Sequence, residues 1–155
     1  MKFAADSSLL VRLYCHDSKT EAIERFLAED GKVLSVSELA RVEVLNVLLR
    51  HDERWERFLA DLEEGTRCRL EPVDWRDAFQ QAESLARRFS RTLKPGGHDL
   101  VLVAAAVVAG ATWFLSFDVN SCQRPLAASA GLRVWPPLDR EEKGLVRHAA
   151  RPIAS

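Results

Sequence analysis

The sequence predicts an α/β domain in which a parallel sheet is covered by helices on both faces. Two observations carry this reading. Short apolar runs of strand length alternate along the chain with longer segments whose apolar residues recur at helical spacing, a pattern that packs as a parallel sheet between helices. The 155 residues are enough for one domain with one sizeable core.

The first strand is expected over residues 2–5, stopped by Asp6-Ser7-Ser8, which reads as a helix cap. Leu9, Leu10, Leu13 and Tyr14 then follow helical spacing, and a second amphipathic helix over residues 21–29 ends at Gly31. Residues 33–36 form the next strand, with Ser37 capping a helix from Glu38 to Arg50. A charged helix around Trp55, Phe58, Leu59 and Leu62 precedes a weaker strand over 70–73 and an amphipathic helix over 75–89. Pro95-Gly96-Gly97 is a break. Beyond it come an apolar helix over 99–109, a strand over 112–117, a helix over 124–130 and a last strand over 132–135. Pro136-Pro137 closes the domain at residue 137, and residues 138–155 read as a peripheral or mobile tail.

The apolar fraction of 47% and charged fraction of 29% are those of an ordinary globular protein. A formal net charge of −1 supplies no bulk attraction to a polyanion, so nucleic acid would have to be met by a local basic patch or by bound metal. Cys15, Cys68 and Cys122 are too scattered for a disulfide framework or a zinc site, which points to structural thiols in a reducing cytoplasm. No signal-peptide core follows Met1, and the most apolar stretch, residues 100–115, is shorter than the ~20 residues that span a bilayer. The expectation is a cytoplasmic protein with no membrane partner.

Four carboxylates stand out. Asp6 and Asp118 each fall where a strand ends, and open parallel sheets bind ligands beyond the carboxyl ends of their strands. Asp99 opens the most apolar helix, at the mouth of the core. Glu43 shares its helix face with Leu39, Ala40 and Val47, where a carboxylate needs a cation, a proton or a hydrogen-bond partner such as Asn46. For Asp6 and Asp99, plain helix capping is the competing explanation. Clustered carboxylates repel one another and stay ionised only around cations, and oxygen ligands suit magnesium or manganese rather than zinc. Such a centre activates water against a phosphodiester. Ser7 and Ser116 are expected to support the acids through hydrogen bonds.

Other acid-bearing folds fit less well. A metal-dependent adhesion site would require a serine at Leu10, and a haloacid-dehalogenase-like phosphatase an aspartate at Ser8. A receiver domain would require paired acids after the first strand.

Four segments in order, Asp6-Ser-Ser-Leu-Leu-Val-Arg-Leu-Tyr14, Val42-Glu-Val-Leu-Asn-Val-Leu48, His98-Asp-Leu-Val-Leu-Val-Ala-Ala-Ala106 and Phe114-Leu-Ser-Phe-Asp118, resemble the PIN-domain ribonucleases. Among these the chain looks most like the VapC-type toxins of bacterial toxin–antitoxin pairs, over about residues 2–135. The resemblance implies a three-layer α/β/α PIN-like domain with a parallel sheet in the order 3-2-1-4-5. It implies a metal-ligating, catalytic quartet of Asp6, Glu43, Asp99 and Asp118, binding Mg2+ or Mn2+ for the cleavage of RNA. A homodimer and a cognate antitoxin protein are implied as partners. An inactive PIN-like module that binds RNA or protein is the alternative.

Arg87, Arg88, Arg91 and Lys94 form an acid-free run just before Asp99, placed to guide an RNA backbone toward it. The four tryptophans are expected mostly in the core. The helices around Leu9–Tyr14 and Trp55–Leu62 are expected to leave apolar surface for the dimer.

Overall fold

The computed structural model describes residues 1–152. Five strands of three residues each, β1 (Phe3–Ala5), β2 (Leu34–Val36), β3 (Cys68–Leu70), β4 (Trp113–Leu115) and β5 (Arg133–Trp135), form one parallel sheet in the order β3-β2-β1-β4-β5. This is the α/β order that the sequence resemblance implied. In the central strand, Phe3 pairs with Leu34 on one side and Trp113 on the other. The order reverses at β1, so β1 and β4 open a crevice at their carboxyl ends where loops diverge to opposite faces.

Helices α1 (Ser7–Cys15), α2 (Thr20–Ala28), α3 (Glu38–Arg50) and α4 (Trp55–Glu64) follow the predicted periods closely. Their apolar stripes, with Leu9, Leu13, Ile23, Val44, Leu48 and Phe58, pack with Phe3, Leu34 and Val36 of the sheet into one core cluster. Helices α5 (Trp75–Phe89), α6 (Gly97–Val108) and α7 (Gln123–Ser129) contribute Leu85, Phe89, Val103, Ala104 and Leu126 to a second cluster with Phe114. The two clusters are the two outer interfaces of a three-layer sandwich. Alanines dominate the inward side of α6, which lets the helix lie close to the strands.

Two sequence expectations change. The strand expected over 70–73 lies two residues earlier, because Cys68, not Val73, turns into the core and pairs with Leu34. Much of the apolar surface expected on α1 and α4 is buried: Leu9, Leu10, Leu13, Tyr14 and Phe58 are all 2% exposed or less in the first core cluster, while Val11, Trp55, Leu59 and Leu62 are half-buried. The large apolar side chains left exposed include Val42, Leu49 and Phe79, on α3 and α5.

Beyond the two prolines, residues 140–149 form a helix, α8 (Arg140–Ala149), whose first turn is closed by a reciprocal capping box between Asp139 and Glu142. Helix α8 packs on α7, and Leu145 and Ala149 reach the second core cluster. A buried guanidinium fastens this corner. Arg124 donates to the Ser116, Pro136 and Pro137 carbonyls and pairs with Glu142 at 2.8 Å. Trp113 and Trp135 are half-buried and stack on Phe3 and Phe26 respectively. No helix among the described residues is long and apolar enough to cross a membrane.

Removing a single partner of a buried ion pair leaves the other unpaired in a poorly solvated site. Arg124→Ala should therefore lower unfolding stability in urea by about 3–5 kcal/mol. The double variant Arg124→Leu/Glu142→Leu should recover only the part owed to an unpaired Glu142, because the Ser116, Pro136 and Pro137 carbonyls lose their donor in both proteins. Equal losses in the two proteins would show that the pair contributes nothing beyond packing.

Candidate active site

The site is built where β1 and β4 end. Asp6 follows β1 directly and caps α1, so the strand-to-helix turn holds its carboxylate beneath the crevice floor. Only 2% of Asp6 is exposed. Its Oδ1 accepts hydrogen bonds from the Leu9 amide at 3.1 Å and the Ser8 hydroxyl at 2.7 Å. Its Oδ2 accepts from the Ser116 hydroxyl at 2.7 Å and from Nε2 of Gln123 at 2.9 Å. Asp6 therefore caps α1 through Oδ1 while its Oδ2 faces Ser116 and Gln123.

Asp118 lies in the turn after β4. Its Oδ1 accepts from the Asn120 amide at 2.9 Å, while Oδ2 accepts from the same Gln123 Nε2 at 3.0 Å. One amide thus donates to both aspartates. Ser116, fully buried, supports both turns: its hydroxyl also accepts from the Asp118 amide. The expected support from Ser7 comes from a different residue. Among the described residues Ser7 forms no side-chain hydrogen bond to Asp6, and Ser8, one position on, reaches Asp6 and the Phe117 amide.

Burial pushes the Asp6 carboxyl up to about 6, with the nearby Asp118 carboxylate adding to the rise. The hydrogen bonds from Ser116, Ser8 and Leu9 oppose it without cancelling it.

Glu43 and Asp99 stand apart from this pair. Glu43 is half-buried on α3, and its partner is not Asn46, which is exposed, but His98, whose Nε2 lies 2.6 Å from Glu43 Oε1. The second oxygen, Oε2, is buried and has no partner. Asp99 sits in the first turn of α6 rather than at its cap, and its Oδ2 accepts from the Gly96 amide at 3.1 Å. Among the described residues no three His, Cys, Asp or Glu side chains lie close enough together to hold a metal ion. The geometry brings Asp6 and Asp118 together and leaves the other two acids tied to local partners.

The donor chemistry nevertheless fits a hard divalent cation. Asp6 and Asp118 present oxygen ligands across one shared hydrogen-bond donor. Glu43 keeps one buried oxygen without a partner. His98 engages only Oε1 of Glu43, and the Gly96 amide only Oδ2 of Asp99, so each acid keeps a second oxygen outside these contacts.

Arg87, Arg88, Arg91 and Lys94 are all exposed, at the end of α5 and in the loop that leads to α6. Gln123 and His98 were not legible as site residues from the sequence. Gln123 stands five positions after Asp118, a spacing that carries no signal until α7 folds back over the β4 turn. His98 adjoins Asp99, but only packing against α3 brings it to Glu43.

The PIN-domain family model matches residues 4–124, and the chain belongs to that family. Among solved structures it is similar to VapC20 of Mycobacterium tuberculosis, described as a sarcin–ricin loop cleaving toxin. That match has 22% identity and a TM-score of 0.62, over 87% of this chain and 100% of the other. It is also similar to PAE2754 of Pyrobaculum aerophilum, with 16% identity and a TM-score of 0.51 over 97% of this chain and 91% of that one. A comparison with curated protein sequences gives no significant match.

The raised Asp6 carboxyl fixes a sign for stability. The folded chain holds the Asp6 proton up to about pH 6, and the unfolded chain releases it near the model-compound value of 3.8. Stability is thus fully present below the unfolded value and lost as pH rises through 6, by about 3 kcal/mol. In metal-free buffer Asp6→Asn, which cannot titrate, should flatten this part of the melting-temperature profile. Parallel profiles for the two proteins between pH 4 and 7 would contradict it.

Proposed function

We propose that the protein is a magnesium- or manganese-dependent endoribonuclease, the toxin of a type II toxin–antitoxin pair. The observation that carries the reading is the facing pair Asp6 and Asp118 at the switch point of a PIN-domain sheet. Asp6, Glu43, Asp99 and Asp118 would hold the cation, as the family resemblance implies. When bound, it would lower the pKa of water for attack on a phosphodiester and neutralise charge on the leaving oxygen. Ser8 and Ser116 fix the Asp6 oxygens, so the crevice floor is set before substrate arrives. The exposed run Arg87, Arg88, Arg91 and Lys94 leads toward Asp99 and suits an RNA backbone. The similarity to VapC20 favours RNA as substrate and an antitoxin as partner. Exposed Val42, Leu49 and Phe79 favour a homodimer through α3 and α5.

A second reading, an inactive PIN-like module that binds RNA or a protein, is favoured by one observation: Glu43 and Asp99 are engaged by His98 and Gly96 rather than by the aspartate pair. The nuclease reading expects total cellular RNA to be cut with Mg2+ or Mn2+ and spared in EDTA. Asp6→Asn and Glu43→Gln should each lower the cleavage rate at least about 100-fold, the scale of removing one strong electrostatic contact from a transition state. Charge removal at Arg87, Arg88 and Arg91 together should weaken RNA binding and flatten its salt dependence. RNA binding of ordinary affinity with no cleavage under any divalent cation would select the inactive module.

A further inference from the structure

Each aspartate of the pair uses one oxygen locally and presents the other to the same group. Asp6 Oδ1 is taken by the Leu9 amide and Ser8, and Asp118 Oδ1 by the Asn120 amide. The two Oδ2 atoms both receive Nε2 of Gln123, at 2.9 and 3.0 Å. Gln123 is 3% exposed, and its Oε1 is buried without a partner. The amide orientation is forced, since the reverse rotamer would set a carbonyl oxygen against two carboxylates. An NH2 group with two donors aimed at two acids is the nearest neutral substitute for a cation that a side chain offers.

We propose that Gln123 is the stand-in for the divalent cation, an amide latch that holds Asp6 and Asp118 facing each other and is displaced when metal binds. A cation held by these acids would draw on the same two Oδ2 atoms that Nε2 now engages, so amide and cation compete for them. The Gln123 backbone is anchored by its neighbour Arg124, which is pinned to the Ser116 and Pro136 carbonyls and to Glu142. The side chain, by contrast, is tied only through Nε2, and its unpartnered oxygen gives the latch nothing to lose on that side. An interaction made only in the metal-free state weakens metal binding by its own worth, so Gln123 is a positioning residue that sets the affinity of the centre.

This inference rests on the metal-site reading, and the test separates the two. Mn2+ and Mg2+ binding is measured by calorimetry at pH 8 for wild type and Gln123→Met, an unbranched replacement without the amide. Melting temperatures are taken in EDTA and in saturating Mn2+. The latch predicts that Gln123→Met melts lower than wild type in EDTA, that the gap narrows in Mn2+, and that Mn2+ binds about tenfold more tightly, since one charge-assisted hydrogen bond is worth at least that factor. Gln123→Ala, which leaves room for solvent, serves if the methionine variant does not fold. Weaker Mn2+ binding would make Gln123 a ligand, and unchanged binding with equal melting losses in both buffers would make it packing only; either overturns the latch. If neither protein binds Mn2+ or Mg2+, the metal-site reading itself fails, and the latch with it.

Discussion

Burying the Asp6 carboxylate at the end of the central strand imposes a requirement that the surrounding structure answers. A charge held there, 2% exposed, has to be met by donors, and four converge on its two oxygens: the Leu9 amide, Ser8, Ser116 and Gln123. They come from α1, from the end of β4 and from the start of α7. One buried acid therefore ties the first turn after β1 to the segment that follows β4, over a hundred residues later. Those donors also orient the turn that carries Asp118, because Ser116 bonds the Asp118 amide.

The same corner links the site to the end of the chain. Arg124 follows Gln123 and gathers the Ser116, Pro136 and Pro137 carbonyls together with Glu142 of α8. The backbone that positions Ser116 against Asp6 is thus braced by a helix lying outside the PIN-family match, which ends at residue 124. A guanidinium suits this task, since its fixed fork meets several oxygens at once in a way a lysine ammonium does not.

Much of the fold was legible because it follows from local periodicity. The bounds of α3 and α5 match the expected helices, where Ser37 and Asp74 supply caps that accept from the Ala40 and Asp77 amides. Glu43 was legible as a carboxylate on a mostly apolar helix face in need of a partner; the structure supplies His98 for Oε1 and leaves Oε2 buried without one. Helix α8 was not read from the sequence: the mixed charges of residues 138–155 suggested a peripheral or mobile tail and masked Leu145 and Ala149, which reach the second core cluster. Most of the large apolar residues expected to be exposed on α1 and α4 are buried, with Trp55, Leu59 and Leu62 half-buried. Periodicity shows that a helix has an apolar face and says nothing about which neighbour covers it.

The four carboxylates on which the functional reading turns were set by the sequence alone, each by its place at a strand end, at a helix start or on an apolar face. Their grouping was decided by the tertiary structure. It brings Asp6 and Asp118 together through an amide that no sequence spacing marks, gives Glu43 to His98, and returns Asp99 to the Gly96 amide. The reason is range. Caps and amphipathic stripes are determined within a few residues, whereas a hydrogen bond between Gln123 and Asp6 spans the chain and exists only after the sheet has placed β1 beside β4.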